Sequence, residues 1–381
     1  MFKKSIISIS VALIVTACGG GGSSSDGGGV TLATGQFKDS NTAGVSYLSG
    51  GQSGVTDSDG NFTYEIGKAV TFSIGGVTLG ASNGKSVVTP VDLVSEGSSS
   101  STQVQNIVRF LMMLDDDGDP SNGIKISSSV QTIAINWSQV DFSTTDLPTA
   151  LTSIISDAAS ADGGVHALPN ASTAQAHLES TLLCSYAGAY KGTFSGGDNG
   201  SFGVLVDSSS GNVTGVAYSI PFNEYIGLSG TTPISFDQNV AFVSGNTTTG
   251  ASFSGQYTSV NGLAGTWQNS SVNGNFSGSR IGGAANATYR FTGSYTGSDL
   301  GLFSFDVDAS NNISGVAYSV AGDELFTLSG SVTATTLNAM ASDGTAITGT
   351  LNSSTGALSG TWNDAAEGLS GSFSGNGCKL N

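Results

Sequence analysis

The densest cluster of metal-ligating atoms in the sequence is Asp115-Asp116-Asp117-Gly118-Asp119-Pro120-Ser121-Asn122-Gly123. Its carboxylates and amide oxygen are hard ligands of the kind Ca²⁺ takes. The helix–loop–helix calcium loop does not fit. Started at Asp115, it places Pro120 where a glycine is needed and Ile126 where a bidentate Glu is needed. Started at Met113, it lacks its first ligand. The pattern predicts a shorter loop of its own, with Asp115, Asp117, Asp119 and Asn122 as ligands to Ca²⁺. The alternative is a solvated acidic turn closing the helix before it. Carboxylates are disfavoured at a helix C-terminus, and that misfit argues for a cation.

Other chemistry is sparse. The two histidines, His166 and His177, have no Cys, His or acidic residue at a metal-ligand spacing. Both read as surface or packing residues. Gly80-Ala81-Ser82-Asn83-Gly84 matches the nucleophile elbow G-x-S-x-G. That elbow needs a helix after its turn, and more Gly, Ser and strand-like sequence follows instead. With 56 glycines in the chain, chance matches are expected. The reading is non-enzymatic, with a hydrolase as the weaker alternative.

Cysteine chemistry is more specific. Lys3 and Lys4 precede an apolar stretch, Ile6 to Val15, and Val15-Thr16-Ala17-Cys18 closes it. A positive start, about ten apolar residues and small residues before a cut make a secretory signal. The stretch is too short to span a bilayer, which takes about twenty residues. The last four residues resemble the bacterial lipobox. That resemblance implies acylation of the Cys18 thiol, palmitate included, and cleavage just before it. Gly19 rather than Asp follows, which in Gram-negative lipoproteins implies the outer membrane, on its periplasmic or cell-surface face. Two or more acyl chains anchor a protein stably. Cys184 and Cys378 remain for the exported chain. An oxidising compartment favours a disulfide between them over two solitary thiols.

The composition narrows the partners. Charged residues are 10% of the chain, against about 25% in typical soluble domains. The formal net charge is −17 with no basic cluster. Nucleic acid and anionic membrane surfaces are therefore poor partners. The remaining partners are the membrane, through the lipid anchor, and an unidentified protein, glycan or small molecule.

The elements that position these residues fall into six segments. Residues 1–18 are the signal and 19–29 a flexible Gly/Ser linker. Residues 30–88 read as short strands, with Asp59-Gly60 as a hairpin signal. Within them, Thr56, Asp57, Asp59, Gly60 and Phe62 resemble the "TDxDGxF" turn of the prealbumin-like repeats named after the carboxypeptidase regulatory domain. That resemblance implies a small β-sandwich with a structural or adhesive role. Residues 89–183 form a helical connector carrying the acidic loop. Its helices are expected over Val104–Leu114, over Leu147–Ala158 behind an Asp146 cap, and over Ser172–Leu183 with Ala174, Leu178 and Leu182 on one stripe.

From Cys184 onward the chain repeats itself. "SGNVTGVAYS" at 210–219 returns as "SNNISGVAYS" at 310–319. "LAGTW" at 263–267 returns as "LSGTW" at 358–362, and "GNFSG" at 274–278 as "GSFSG" at 371–375. The repeats set two units, 184–283 and 284–381. In the first, strands are expected around Phe194, Val204, Val216, Leu228, Phe242, Phe253, Trp267 and Phe276. Eight short strands with short links predict an antiparallel barrel in each unit. The fold class expected is mainly β. A bridge from Cys184 to Cys378 requires the second barrel to fold back on the start of the first, or all the strands to form one structure.

The "GTW…GxFSG" pattern is similar to the small barrels of bacterial surface lipoproteins of the transferrin-binding-protein type, and to the avidin type. The whole chain resembles a group of uncharacterised proteobacterial lipoproteins. These likenesses imply a membrane-anchored binding or adhesion module. The alternative is a small-molecule carrier that uses a barrel lumen, for which an apolar cavity inside a barrel is the discriminating feature.

Overall fold

In the computed structural model, strands β1 (Leu32–Phe37), β2 (Thr42–Ala43), β3 (Ser46–Ser49), β4 (Gln52–Val55), β5 (Asn61–Glu65), β6 (Ala69–Ile74), β7 (Val77–Asn83) and β8 (Val87–Val88) come first. Helix α1 (Thr102–Met113), strand β9 (Ile124–Lys125) and helices α2 (Ser128–Ala134), α3 (Leu147–Ala150), α4 (Thr152–Asp162) and α5 (Ala171–Tyr186) follow. The structure describes residues 30–380, apart from 233–242, 260, 271, 285–286, 320–321, 323 and 353–354.

The early strands make two sheets, ordered β4-β3-β6-β7 and β5-β1-β8. They face each other through aromatic rings. Phe37 of β1 lies 4.7 Å from Phe72 of β6, and Phe62 of β5 meets Phe72 edge-on at 5.0 Å. Alternation sets this up: in β5 and β6 every second residue is buried. The Asp59-Gly60 turn differs from a hairpin, because β4 pairs with β3 while β5 pairs with β1. Asp57 explains the turn. Its Oδ1 accepts from the amides of Asp59 and Asn61, and Gly60 takes a φ of 77°. The chain is thereby passed from one sheet to the other.

Helix α1 buries Val104, Ile107, Val108 and Leu111 against both sheets and against Leu178 and Leu182 of α5, in one continuous core. Asp146 caps α3 by accepting from the Thr149 amide. The helix expected from Leu147 is broken at Leu151, whose ψ of 0° ends α3 and starts α4. Neither α2 nor the short parallel pair β2–β9 was expected from the sequence. Both are too short for periodicity to register.

After α5 the chain forms two closed antiparallel barrels of eight strands each. The first contains β10 (Gly188–Gly196), β11 (Gly200–Val206), β12 (Asn212–Ser219), β13 (Glu224–Thr231), β14 (Val243–Thr247), β15 (Ser252–Ser259), β16 (Gly262–Asn269) and β17 (Val272–Ile281). The second contains β18 (Ala287–Gly297), β19 (Gly301–Asp308), β20 (Asn312–Ser319), β21 (Glu324–Thr333), β22 (Thr336–Ala341), β23 (Ala346–Leu351), β24 (Ala357–Asp364) and β25 (Leu369–Lys379). Each strand pairs with its sequence neighbours, and β10–β17 and β18–β25 close the rings. Closure removes sheet edges that the chain has few charges to protect. Of the expected strand centres, Phe242 lies outside the described residues, and the other seven fall inside β10–β13 and β15–β17.

The repeated motifs are packing devices. A Cβ on Gly274 would lie 2.5 Å from Trp267 Nε1, and one on Gly371 would lie 2.5 Å from Trp362 Nε1. A Cβ on Gly265 would meet Phe276 Cζ at 2.6 Å, and one on Gly360 would meet Phe373 Cζ at 2.5 Å. In both barrels, rings from one strand lie over bare backbone on the next.

The barrels sit side by side. Outward-facing Ala189 and Leu205 pack on Val316, flanked by Ile281 and Leu302. The Ser208 amide donates to Thr292 Oγ1, and Ser208 Oγ donates to the Asn376 carbonyl. Of the two arrangements open to a Cys184–Cys378 bridge, the structure has the first. The second barrel lies back against the beginning of the first, and the two remain separate.

Candidate functional site

The interior of the first barrel is built by alternation. Phe202, Val204 and Val206 of β11 point inward with Val213, Val243, Tyr257 and Leu263. Leu205, between them, points out to the second barrel. These side chains do not fill the space. A cavity of about 320 Å³ remains, lined by Phe194, Phe202, Val204, Ile226, Leu228, Phe253, Trp267 and Phe276 among others. That size lies within the range of small-molecule sites.

The cavity has a floor and a mouth. Toward the floor, Tyr186 of α5 stacks on Tyr257, with ring centroids 4.5 Å apart. The Tyr190 hydroxyl donates to the Tyr186 carbonyl at 2.7 Å, and the hydroxyls of Tyr257 and Thr232 are hydrogen-bonded at 2.8 Å. Burial pushes the phenol of Tyr190 up to about 12, so these groups remain neutral. Toward the mouth, the lining continues into the turns at the other end, with Asp198, Phe222, Thr249 and Asn269. Polar groups therefore sit at the rim and rings in the interior. Phe222 is 70% exposed, and Ile220, Tyr225 and Val272 are exposed near it.

The second barrel has the same plan with larger interior groups. Val204 pairs with Gly215, and Phe305 pairs with Gly315. Ile226 pairs with Ala217, and Phe326 pairs with Ala317. Phe305 and Phe326 belong to a cluster with Phe291, Phe303, Leu328 and Leu337. Exchanges also run the other way: Ile347 stands where the first barrel has Phe253, and Leu351 where it has Tyr257.

The structure distributes the residues singled out in the sequence. Cys18 lies outside the described residues. Cys184, near the end of α5, and Cys378, in β25, form a disulfide with Cα atoms 5.8 Å apart. In the acidic loop, Asp115, Asp116 and Asp117 converge, each offering an oxygen within 4.8 Å of the others. Asp119 does not join them, because its Oδ1 accepts from the Ser121 amide and hydroxyl. Asn122 is turned to donate its amide to Asp117 Oδ2 at 2.9 Å. Ser82 lies in strand β7, and its hydroxyl donates to the Asn83 carbonyl. His166 is a packing residue, bonded to the Met113 carbonyl at 2.8 Å and to Asp162 Oδ1 at 2.9 Å. His177 faces buried Asp39 at 3.4 Å.

No family model and no curated protein matches the chain. Among solved structures, the chain is similar to a protein of unknown function from the DUF3598 family of Nostoc punctiforme. The identity is 10% and the TM-score 0.16, over 53% of this chain and 98% of that one.

Charges buried at the junction of the N-terminal part and the barrels escaped the sequence reading. Arg290 is buried and holds Asp306 with two hydrogen bonds, at 2.8 and 3.0 Å. Its Nη1 donates to the carbonyls of Cys184 and Ser185, at the end of α5. Lys38 is buried beside this pair and donates to Asn41 Oδ1 and the Leu380 carbonyl. Desolvation, followed by the charge of Arg290, lowers its ammonium to about 8. The only sequence signal was the rarity of cations: 11 Lys and Arg in the whole chain. Among the described residues, no helix is long and apolar enough to cross a membrane.

Proposed function

We propose that the protein is an exported lipoprotein, tethered to the outer membrane through Cys18, whose first barrel binds and holds a small, largely apolar molecule. The observation that carries the reading is the ring-lined cavity of about 320 Å³ inside that barrel. Apolar surface held open to water is costly, at roughly 25 cal/mol per Å², and a ligand that covers it recovers that energy. The rim polar groups, Asp198, Thr249 and Asn269, suit a molecule whose polar end stays at the mouth. The exposed Ile220 and Phe222 provide an apolar threshold for entry. This feature favours the carrier over surface adhesion, the first reading of the sequence.

The remaining parts serve presentation in this reading. The linker 19–29 lets the body stand off the membrane. Residues 30–88 act as a structural module of the prealbumin-like kind, supported by the Asp57–Phe62 turn between two facing sheets.

The test uses the neutral fluorophore N-phenyl-1-naphthylamine as probe, with native mass spectrometry for any molecule that co-purifies. Saturable binding of one probe per chain, displaced by the co-purifying molecule, is the expected result. A linear, unsaturable titration would overturn the carrier reading. For the anchor, Cys18→Ala should abolish palmitate labelling and membrane extraction; continued labelling would remove it.

A further inference from the structure

The acidic loop after α1 is not used by the barrel, and its geometry differs from the sequence pattern. Helix α1 ends at Met113, and Asp115, Asp116 and Asp117 follow at its negative end. One oxygen from each lies within 4.8 Å of the others. Oxygens bound to one Ca²⁺ at about 2.4 Å can be no more than about 4.8 Å apart, so the three fit a single coordination sphere.

A second observation points to a ligand. Asp115 is only 2% exposed. Its Oδ1 accepts from the Lys125 amide at 2.9 Å, but its buried Oδ2 receives no N–H donor, and the carboxylate lies against that of Asp117. A buried carboxylate oxygen without a donor is unfavourable unless a cation or a proton meets it. The cation at hand is Lys125, whose Nζ lies 2.6 Å from Asp116 Oδ2 on a side chain that is 70% exposed. It is free to swing into water, and it neutralises one of the three charges at most.

We infer that Asp115, Asp116 and Asp117 bind a Ca²⁺ ion, with the buried Oδ2 of Asp115 as the anchoring ligand. Asp119 and Asn122 shape the loop instead of ligating. The Asp119 carboxylate closes a local turn on Ser121, and Asn122 braces Asp117. Calcium fits better than magnesium, because Ca²⁺ accepts irregular carboxylate geometry and Mg²⁺ demands a near-ideal octahedron. The ion would fasten a crossroads. The loop leads into β9, which pairs with β2, and Lys379 beside Cys378 donates to Ser121 Oγ at 3.3 Å. The site thus ties α1, the N-terminal part and the last strand of the second barrel, independently of the lumen.

Calorimetric titration of the EDTA-stripped protein with CaCl₂ tests this. The wild type should bind one Ca²⁺ per chain and gain melting temperature. Asp116→Asn and Asp117→Asn, both at accessible positions, should each weaken binding at least tenfold. Asp119→Asn should weaken it less than threefold. Absence of both heat and melting shift at millimolar Ca²⁺ would overturn the site. A loss at Asp119 as large as at Asp117, with binding unchanged in Asp116→Asn, would overturn this ligand set and restore the one read from the sequence. Probe binding in the barrel should be the same with and without Ca²⁺, so failure of this site leaves the carrier reading standing.

Discussion

Val204 and Phe305 occupy the same place in the second strands of the two barrels, each paired across to a glycine, Gly215 and Gly315. The two repeats thus share backbone register and differ in how much they put inside it. Val204 lines the cavity of the first barrel, and Phe305 stacks on Phe291 at 5.1 Å and on Phe303 at 5.8 Å.

Transplanting the second interior into the first should close the cavity. Val204→Phe with Ile226→Phe places rings where the lumen is open. The expected result is at least a tenfold loss of fluorophore binding, with the melting temperature held or raised because empty space is filled. Overpacking would instead cost about 1–3 kcal/mol, and calorimetry separates the two. Full binding in a folded double variant would remove the lumen as the site.

The Arg290–Asp306 pair docks the second barrel on the end of α5. Removing one partner leaves the other charge buried and unpaired. Arg290→Ala should therefore cost about 3–5 kcal/mol. Arg290→Leu with Asp306→Leu should cost much less, since neither charge is stranded. Chemical denaturation of the three proteins checks the order. A double variant no better than the single one would mean that the donation to the Cys184 and Ser185 carbonyls, and not the charge pair, carries the contact.

The disulfide acts at the same junction, across a sequence separation of 194 residues. Constraining so long a loop in the unfolded chain contributes on the order of 5 kcal/mol in the chain-entropy model. Cys184→Ser should lower the melting temperature and leave probe binding intact, because β10–β17 closes the first barrel without it. Native exported protein with both thiols open to alkylation would sink this prediction.

The barrels were legible because the sequence states them twice. The return of "GTW" and "GxFSG" aligned the units before any strand was assigned, and the Trp267–Gly274 and Phe276–Gly265 contacts are the physical content of that return. The lumen was not legible. Alternation says which side chains point inward, but a cavity is what remains after volumes are subtracted, and Val204 against Phe305 differs by one ring. The acidic loop was legible as a cluster but not in its arrangement, since spacing cannot show that the Asp119 carboxylate accepts from Ser121. Asp39 was invisible altogether. It sits among Lys38, Ser40 and Asn41 in a polar run that reads as surface, yet it is fully buried.

That burial gives Asp39 a pH signature. Neither of its oxygens has a hydrogen-bond donor, and His177 Nε2 stands 3.4 Å from Oδ1. Desolvation raises the carboxyl to about 6, against a smaller opposing pull from the His177 charge. The unfolded chain titrates near the ordinary Asp value of about 3.9. The folded protein therefore holds this proton more tightly than the unfolded one. The stability it contributes is fully present below about pH 4, falls as pH rises, and is gone above about pH 6. The interval corresponds to on the order of 3 kcal/mol. Other carboxylates act in the opposite sense, among them Asp207 and Asp308, whose hydrogen bonds hold them below the usual range. The informative quantity is thus the difference between wild type and Asp39→Asn. The variant should match or exceed the wild type by a few degrees at pH 8, and fall behind it as the pH approaches 4.5. Melting temperatures by calorimetry at pH 4.5, 6 and 8 supply the comparison. Parallel profiles for the two proteins would show that Asp39 does not titrate in this interval.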